Sequence, residues 1–217
     1  MADNTSAAAK RQEGQVPDIV IGRLPLYLRA LILLEKEGKE VTSSQELGKR
    51  LGISSAQIRK DLSHFGEFGK QGTGYAVSYL KGQLKEILNL NEGWSVALIG
   101  FGDLGHALLH YNRFSERRFN IKLIFDADPD KVGHVINGII IQDVARVEEV
   151  IKAKGVQIAI LAVPIEVAQM VTDKLVNAGV RAILNYAPIT LKNIPPDVKV
   201  QTIDPIAHLQ KMTYYLG

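Results

Sequence analysis

A glycine-rich turn in the second half of the chain has the residue types and spacing that bind a dinucleotide. Gly100, Gly102 and Gly105 form a GxGxxG pattern directly after the apolar residues 95–99 and directly before the helix-forming residues 107–109. The first glycine permits a tight turn, the second lets the backbone approach a pyrophosphate, and the third lets helix and strand pack closely. The helix N-terminus offers N–H groups to phosphate. The candidate cofactor residues of this turn are Gly100, Phe101, Gly102, Asp103, Leu104 and Gly105.

A carboxylate follows at the position that selects the dinucleotide. Residues 121–125 are expected to form the second strand, which ends at Asp126, 21 residues after Gly105. A carboxylate at this place accepts hydrogen bonds from the adenosine ribose hydroxyls and repels a 2′-phosphate. We therefore expect NADH and NAD+ as the ligands rather than NADP(H). A related fold that binds another nucleotide, such as coenzyme A, remains an alternative.

The rest of the second half predicts the sheet that carries this turn. Residues 157–163, 181–185 and 199–203 have strand patterns that alternate with helical patterns near residues 144–153 and 166–178. Such alternation is typical of a mainly parallel, doubly wound sheet. Ligands bind these sheets at the carboxyl ends of the strands. Two strand-end loops therefore complete the candidate cofactor site, with residues Val163, Pro164, Tyr186, Ala187 and Pro188.

The first half of the chain carries two consecutive helix-start signals. Residues 43–46 and 54–57 each begin with a serine at capping spacing, and Gly52 lies between them. In the second helix, Arg59 and Lys60 are expected to project outward. A helix, a glycine-containing turn and a basic second helix form the helix-turn-helix pattern, whose second helix can enter a DNA major groove. A small helical bundle without DNA contacts has the same spacing and remains an alternative.

A glycine-rich segment follows this second helix. Residues 65–75 place four glycines among aromatic residues and lead into the β-prone residues 75–77, which predicts a hairpin wing. Residues 49–70 hold five basic and two acidic side chains, a local +3 that equals the net charge of the whole chain. A polyanionic partner should therefore meet this segment. The expected DNA contacts are Ser54, Ser55, Gln57, Arg59, Lys60, Ser63, Lys70, Gly72 and Tyr75.

Composition excludes several classes of protein. The 217 residues are 46% hydrophobic and 23% charged, which is ordinary for a globular protein. Cysteine is absent, so disulfides, thiolate zinc sites and cysteine nucleophiles are excluded. The apolar runs are too short for a membrane-spanning helix, and we expect a cytoplasmic protein. We expect a tail at residues 1–16, a winged-helix domain at 17–92, a Rossmann domain at 93–203 and a C-terminal helix at 204–217.

Catalysis finds little support in the sequence. His106 and His110 have helical i, i+4 spacing, but no third metal ligand accompanies them. The nucleotide fold leaves no separate substrate domain, and no residue is a convincing acid or base for hydride transfer. We therefore expect no catalytic residue and no metal site. An NAD-dependent dehydrogenase with an accessory helix-turn-helix remains the alternative.

Three strings together identify a family. Residues 59–66 read RKDLSHFG and continue into the glycines and Tyr75 of the expected wing, the turn at 100–105 reads GFGDLG, and residues 185–188 read NYAP. In this combination the chain closely resembles the Rex family of bacterial redox-sensing transcriptional repressors, from about Ile19 onward. The resemblance implies a winged helix-turn-helix domain joined to a Rossmann domain. It also implies a homodimer that binds operator DNA with NAD+ or no ligand and releases it when NADH binds.

The resemblance also implies a switch. The C-terminal helix would begin near Asp204 and be exchanged between subunits. Arg29, Tyr111 and Asp204 match family positions that link the nicotinamide site, the domain interface and this helix. Family members often carry Asn or Arg at the position of Asp103 and Phe at the position of Pro205, so the contacts of those two residues differ here.

Overall fold

A computed structural model describes residues 16–69, 73–111, 114 and 118–216. The chain divides into two units between Glu92 and Gly93. The expected tail, apart from residue 16, lies outside the described residues, and so do the predicted DNA contacts Lys70 and Gly72. No helix in the described part of the chain is long and apolar enough to cross a membrane.

The first unit is a helical bundle with a small sheet. Its elements are α1 (Asp18–Lys36), β1 (Val41–Thr42), α2 (Ser44–Leu51), α3 (Ser55–Ser63), β2 (Tyr75–Ala76) and α4 (Val77–Ile87). Leucine, isoleucine and tyrosine side chains from all four helices form its core, each contributing about 1.5–3 kcal/mol when fully buried. The fully buried members are Leu24, Tyr27, Leu31, Leu34, Leu47, Ile58, Leu80 and Leu84.

Local capping explains where α2 and α3 begin. The Ser43 hydroxyl accepts the Glu46 N–H at 3.1 Å, and the Ser54 hydroxyl accepts the Gln57 N–H at 3.1 Å. Each bond satisfies one of the free N–H groups of a first helical turn. Gly52 ends α2 in the left-handed conformation, with φ of 67°. The predicted helix-turn-helix is thus confirmed.

The first helix has a proline in its interior. It begins at Asp18 and continues through Pro25 to Lys36. Proline has no N–H and interrupts the helical hydrogen bonding. Packing compensates, because Val20 and Leu24 are buried and hold the turn before the proline against the core.

The wing also differs in its pairing. The hairpin prediction for residues 65–77 is wrong for the described residues, because β2 pairs with β1, which lies before α2. The register is antiparallel, with Val41 opposite Ala76 and Thr42 opposite Tyr75. The strand partner thus comes from across the helix-turn-helix, a long-range pairing that local sequence patterns do not reveal.

The second unit is the predicted doubly wound sheet. Its elements are β3 (Trp94–Ile99), α5 (Asp103–Leu109), β4 (Phe119–Asp126), β5 (Val135–Ile136), β6 (Ile139–Asp143), a 3₁₀ turn (Val144–Arg146), α6 (Val147–Lys154), β7 (Ile158–Leu161), α7 (Ile165–Asn177), β8 (Ala182–Asn185), β9 (Lys199–Thr202) and α8 (Pro205–Thr213). The strand order is β5-β6-β4-β3-β7-β8-β9, and only the β5–β6 pair is antiparallel. The six parallel strands follow the Rossmann order, with the switch point between β3 and β7.

The β5–β6 hairpin was not predicted from the sequence. Asn137 and Gly138 connect its strands with φ of 51° and 78°. Two positive φ values in a two-residue loop match a type I′ turn, for which Asn-Gly is a favoured pair. The Asn-Gly signal was therefore present in the sequence.

Candidate functional site

The glycine turn lies at the switch point of the sheet. Gly100 has φ of 92°, and a Cβ there would collide with the carbonyl oxygen of Ala162, next to β7. A Cβ on Gly105 would collide with the carbonyl oxygen of Gly100. A Cβ on Gly102 would instead meet nothing within 4 Å. The turn is therefore closely packed at its first and third glycines and open at its second, which fits the approach of a pyrophosphate to Gly102.

Asp126 connects the end of β4 to this turn. Its Oδ2 accepts the backbone N–H of Phe101 at 2.6 Å, and its Oδ1 accepts the N–H of Asp128 at 2.9 Å. A carboxylate has about four acceptor positions, so capacity for ribose hydroxyls remains. The bond from the Phe101 N–H was not predicted from the sequence. Through it, Asp126 also holds the glycine turn in place.

The other residues of the turn lie at the start of α5. Phe101 is buried, whereas Asp103 and Leu104 are exposed. Asp103 occupies the first turn of α5, where a negative charge interacts favourably with the helix dipole. This local stabilisation gives Asp103 a structural reason to be acidic.

Asn185 organises the strand-end loop after β8. Its buried Oδ1 accepts the Ala187 N–H at 2.9 Å, and its Nδ2 donates to the carbonyls of Ala187 and Ile189 and to the Thr202 hydroxyl at 3.0–3.3 Å. Tyr186 is half-buried beside this loop, and burial, with a smaller effect of Tyr111, raises its pKa. Tyr186, Ala187 and Pro188 were predicted as cofactor residues from the sequence, whereas Asn185, which shapes their backbone, was not.

The remaining strand-end loop follows β7. Val163 is half-buried and would lie 3.1 Å from a Cβ on Gly100, and Pro164 is exposed just before α7. The loops after β3 and β7 therefore adjoin each other, as the sheet order requires.

α3 presents the predicted basic surface. Arg59, Lys60 and Ser63 are exposed, and Ser54 and Ser55 lie at the start of the helix. The guanidinium of Arg59 donates to the Ser44 hydroxyl at 3.0 Å. A cation next to the start of α2 is compatible with contact to a phosphate group.

Two of the predicted DNA contacts, Gln57 and Tyr75, are only partly accessible to DNA. Gln57 is half-buried, and its Nε2 donates to Asp61 Oδ1 at 2.7 Å. Tyr75 is half-buried, and this burial raises its pKa. Gln57 therefore has a structural hydrogen bond in place of a free amide.

A buried carboxylate on the inner face of α3 was not anticipated. Asp61 is fully buried, and its oxygens accept hydrogen bonds from Arg23 Nε at 2.6 Å, Arg23 Nη2 at 2.7 Å and the Tyr27 hydroxyl at 2.5 Å. Together with the Gln57 contact, these bonds form a network that links α3 to α1; we refer to Asp61, Arg23, Tyr27 and Gln57 as the buried network. It fixes the face of α3 that points outward.

Electrostatics keep the centre of the buried network charged. Burial opposes ionisation of Asp61, but the hydrogen bonds from Arg23, Tyr27 and Gln57 outweigh it and lower the pKa of Asp61 to about 2. Burial and the bond to Asp61 raise the pKa of Tyr27 to about 12. Asp61 is therefore ionised and the Tyr27 hydroxyl is protonated at neutral pH.

The three predicted switch residues belong to different units. Arg29 is exposed on α1 in the first unit, whereas Tyr111 and Asp204 lie in the second. Asp204 caps α8, because its Oδ1 accepts the N–H groups of Ile206 at 2.9 Å and Ala207 at 3.2 Å. Pro205 occupies the first helical position, where proline is favoured.

α8 leaves large apolar side chains exposed. Every described residue from 205 to 216 is exposed. The large apolar residues of this segment, at 57–84% exposure, are Ile206, Leu209, Met212, Tyr214, Tyr215 and Leu216.

The histidines form no metal site within the described residues. The rings of His106, on α5, and His110, directly after it, lie 4.4 Å apart, and both residues are exposed. No group of three or more potential metal ligands occurs in the part of the chain that the structure describes.

Two family models match the chain. A model described as "CoA binding domain" matches residues 91–189, and one described as "Putative DNA-binding protein N-terminus" matches residues 15–63. The first match covers most of the second unit, and the second covers α1 to α3.

Relatives match almost the whole chain. The redox-sensing transcriptional repressor Rex of Roseiflexus sp. is 52% identical over 93% of this chain and 91% of its own, and that of Chloroflexus aggregans is 53% identical over 94% and 95%. A solved structure of the Rex-family repressor RSP with β-NAD+ and operator DNA has a TM-score of 0.88 at 40% identity, covering 93% of this chain and 92% of its own. RSP with β-NADH has a TM-score of 0.83 at 38% identity, covering 93% and 94%. The chain therefore belongs to the Rex family of redox-sensing transcriptional repressors.

Proposed function

We propose that this protein is a DNA-binding transcriptional repressor that senses the NADH/NAD+ ratio, binds operator DNA with NAD+ or no ligand, and releases it on binding NADH. The likeness over 93% of the chain to RSP in complex with β-NAD+ and operator DNA carries the proposal. It is a regulator and not an enzyme. As a repressor it must reach DNA, so we place it in the cytoplasm.

The DNA-binding surface is assigned to α3 and its flanks. Arg59, Lys60 and Ser63 are exposed on the face of α3 opposite its buried residues. A helix in this position can reach base edges in the major groove, while serine and lysine contacts to phosphate set its position. Lys70 and Gly72 would extend these contacts into the wing. We assign Gln57 a supporting role through its bond to Asp61.

The cofactor is assigned to the carboxyl edge of the sheet. The pyrophosphate would approach Gly102, where the backbone is open, and the adenosine ribose would hydrogen bond to Asp126. The loops at Val163 and Tyr186 follow neighbouring strands and would hold the nicotinamide end. When bound, the dinucleotide supplies a charge that differs between its oxidised and reduced forms.

The dimer is assigned to α8. Its exposed apolar side chains have no cover within the described part of a single chain. A second subunit that accepts α8 would bury them, and homodimers of this kind present one recognition helix per subunit. Symmetric half-sites require these helices about 34–36 Å apart or a multiple of that distance.

The NADH-dependent switch must change the distance between the two recognition helices of the dimer. NADH can release DNA only if it binds the DNA-incompetent arrangement more tightly than NAD+ does. Arg29 and Asp204 have opposite charges. The nicotinamide ring is cationic in NAD+ and neutral in NADH, so its oxidation state would change the charge that each of these two residues favours as a partner. Tyr111 lies near Tyr186 and would connect the cofactor loops to this pair.

Titration of the operator-bound protein tests the proposal. NADH added to the complex in a gel-shift or fluorescence-anisotropy assay should release DNA at a lower concentration than NAD+ does. Release by neither ligand, in a protein that binds the operator, would contradict the sensing function.

The two alternatives are not favoured. The model described as "CoA binding domain" matches residues 91–189 only, whereas Rex relatives match 93–94% of the chain. Steady NADH oxidation with a small carbonyl substrate would support a dehydrogenase instead.

A further inference from the structure

A lysine lies beside the carboxylate that selects the dinucleotide. Lys131 Nζ is 3.7 Å from Asp126 Oδ1 and 3.4 Å from Asp128 Oδ2. Asp126 in turn accepts the N–H of Phe101 in the glycine turn. Lys131 therefore lies one side chain away from the assigned cofactor site.

The local charge balance keeps this lysine neutralised. Residues 126–131 contain Asp126, Asp128, Asp130 and one base, Lys131, a net charge of −2. The Asp130 N–H and Lys131 lower the pKa of Asp128, so this carboxylate is ionised at neutral pH. A ribose 2′-phosphate carries about −1.5 to −2 at this pH. The site as a whole therefore repels it.

Lys131 nevertheless keeps the freedom to bind an anion. Its side chain is 38% exposed, compared with 12% for Asp126, so the ammonium can move on its flexible stem. NADP-binding sites of this fold place a cation near this strand end to hold the 2′-phosphate. The chain thus holds both determinants, a carboxylate that excludes the phosphate and a cation that could hold it.

We propose that Lys131 is a latent 2′-phosphate-binding residue and that its ion pair with Asp126 determines how strongly the site prefers NADH to NADPH. The inference rests on the proposed dinucleotide site and names a second specificity residue within it. While Asp126 is ionised, Lys131 is neutralised by it and by Asp128. Removing the charge of Asp126 leaves Lys131 paired only with Asp128, whose side chain is 41% exposed; such a surface pair contributes little, so the ammonium can turn to the phosphate.

A double-mutant cycle tests this role. NADH and NADPH dissociation constants are measured by titration calorimetry for the full-length wild type, Asp126→Asn, Lys131→Met and the double variant. Asp126→Asn keeps one oxygen, which can accept the Phe101 N–H, and gives up the bond from the Asp128 N–H. It should raise the NADPH affinity relative to NADH by about tenfold or more, the scale of one charge-assisted hydrogen bond. The double variant should lose this gain.

Lys122 provides the matched control. It is exposed on β4, the strand that ends at Asp126, so Lys122→Met removes a lysine charge that has no contact with Asp126. In the Asp126→Asn background it should preserve the NADPH gain. A gain that survives in the Lys131→Met double variant would overturn the role of Lys131.

The Lys131→Met single variant keeps the inference testable even if Asp126→Asn disturbs the glycine turn. Without Lys131 the net charge of residues 126–131 becomes more negative, so the variant should weaken NADPH binding severalfold and change NADH binding less than twofold, because only NADPH brings a 2′-phosphate. An unchanged NADPH-to-NADH ratio would overturn the proposal. Absence of NADH binding in the wild type would instead overturn the proposed function and this inference with it.

Discussion

Replacing Asp61 by alanine should destabilise the first unit far more than removing an exposed acid does. The substitution deletes the acceptor of four hydrogen bonds in the buried network. The Tyr27 hydroxyl is then fully buried without this acceptor, which costs about 1–3 kcal/mol. The Arg23 side chain, 19% exposed, can recover part of its hydration. Removing one partner of a buried pair typically costs about 3–5 kcal/mol, and we expect about 3 kcal/mol here.

Hydrogen exchange on the full chain measures this loss, because it reports opening of each unit separately. The slowest amides of α1 and α3 should exchange with a free energy of opening lowered by about 3 kcal/mol. Glu37 is the control, since it forms a bidentate pair with Arg50 but is 46% exposed. Glu37→Ala should cost less than about 1 kcal/mol. Equal small losses in both variants would refute the argument that burial makes the Asp61 pair indispensable.

Low pH should destabilise the first unit by protonating Asp61. The pKa of Asp61 is about 2 in the folded chain against an ordinary value of 3.8, so the unfolded chain binds more protons between these values. The contribution of Asp61 to the free energy of unfolding is therefore complete above about pH 4 and falls as pH drops toward 2. Asp61→Ala should show a shallower loss of stability across this window.

Other substitutions separate DNA binding, cofactor binding and the switch. Arg59→Ala and Lys60→Ala should weaken operator binding with NADH affinity nearly unchanged; loss of a phosphate contact should lower the salt slope by about one, and equal loss of both functions would contradict the division. Gly102→Val should place a side chain in the open space of the turn and give a repressor that stays on DNA in NADH, as gel shifts would show; release at wild-type NADH concentrations would place the ligand elsewhere. Asp204→Asn retains an acceptor for the α8 cap and removes the charge, so it should reduce the ratio of NADH to NAD+ affinity about five- to hundredfold if this charge carries the linkage. An unaltered ratio would place the switch at another residue.

Local signals explain what the sequence could predict. The serine caps of α2 and α3 lie within four residues of the groups they satisfy, and their positions were read correctly. The glycine turn is also local, since Gly100 and Gly105 meet within one loop. The strands and helices of the second unit could be predicted because hydrophobic periodicity is also a local signal.

Long-range contacts account for the errors. Asp61 lies three residues after Ile58 and one before Leu62, so helical spacing places it on the inner face, but its partner Arg23 is 38 residues away. The pairing of β1 with β2 likewise spans the helix-turn-helix. No local pattern identifies a partner at such separations. Helical spacing therefore indicates that Asp61 is buried, but it does not reveal that Arg23 neutralises the buried charge.

The buried network restricts how a signal can reach DNA. Coupling between ligand sites in allosteric proteins is typically about 1–3 kcal/mol. Rotating α3 about its own axis would break the bonds of Asp61 to Arg23 and Tyr27, at a cost of about 3–5 kcal/mol. A coupling free energy of this size is therefore too small to turn α3 within its unit. The proposed recognition surface on α3 therefore behaves as a stiff body, and we expect it to be displaced as a whole between the bound and the released repressor.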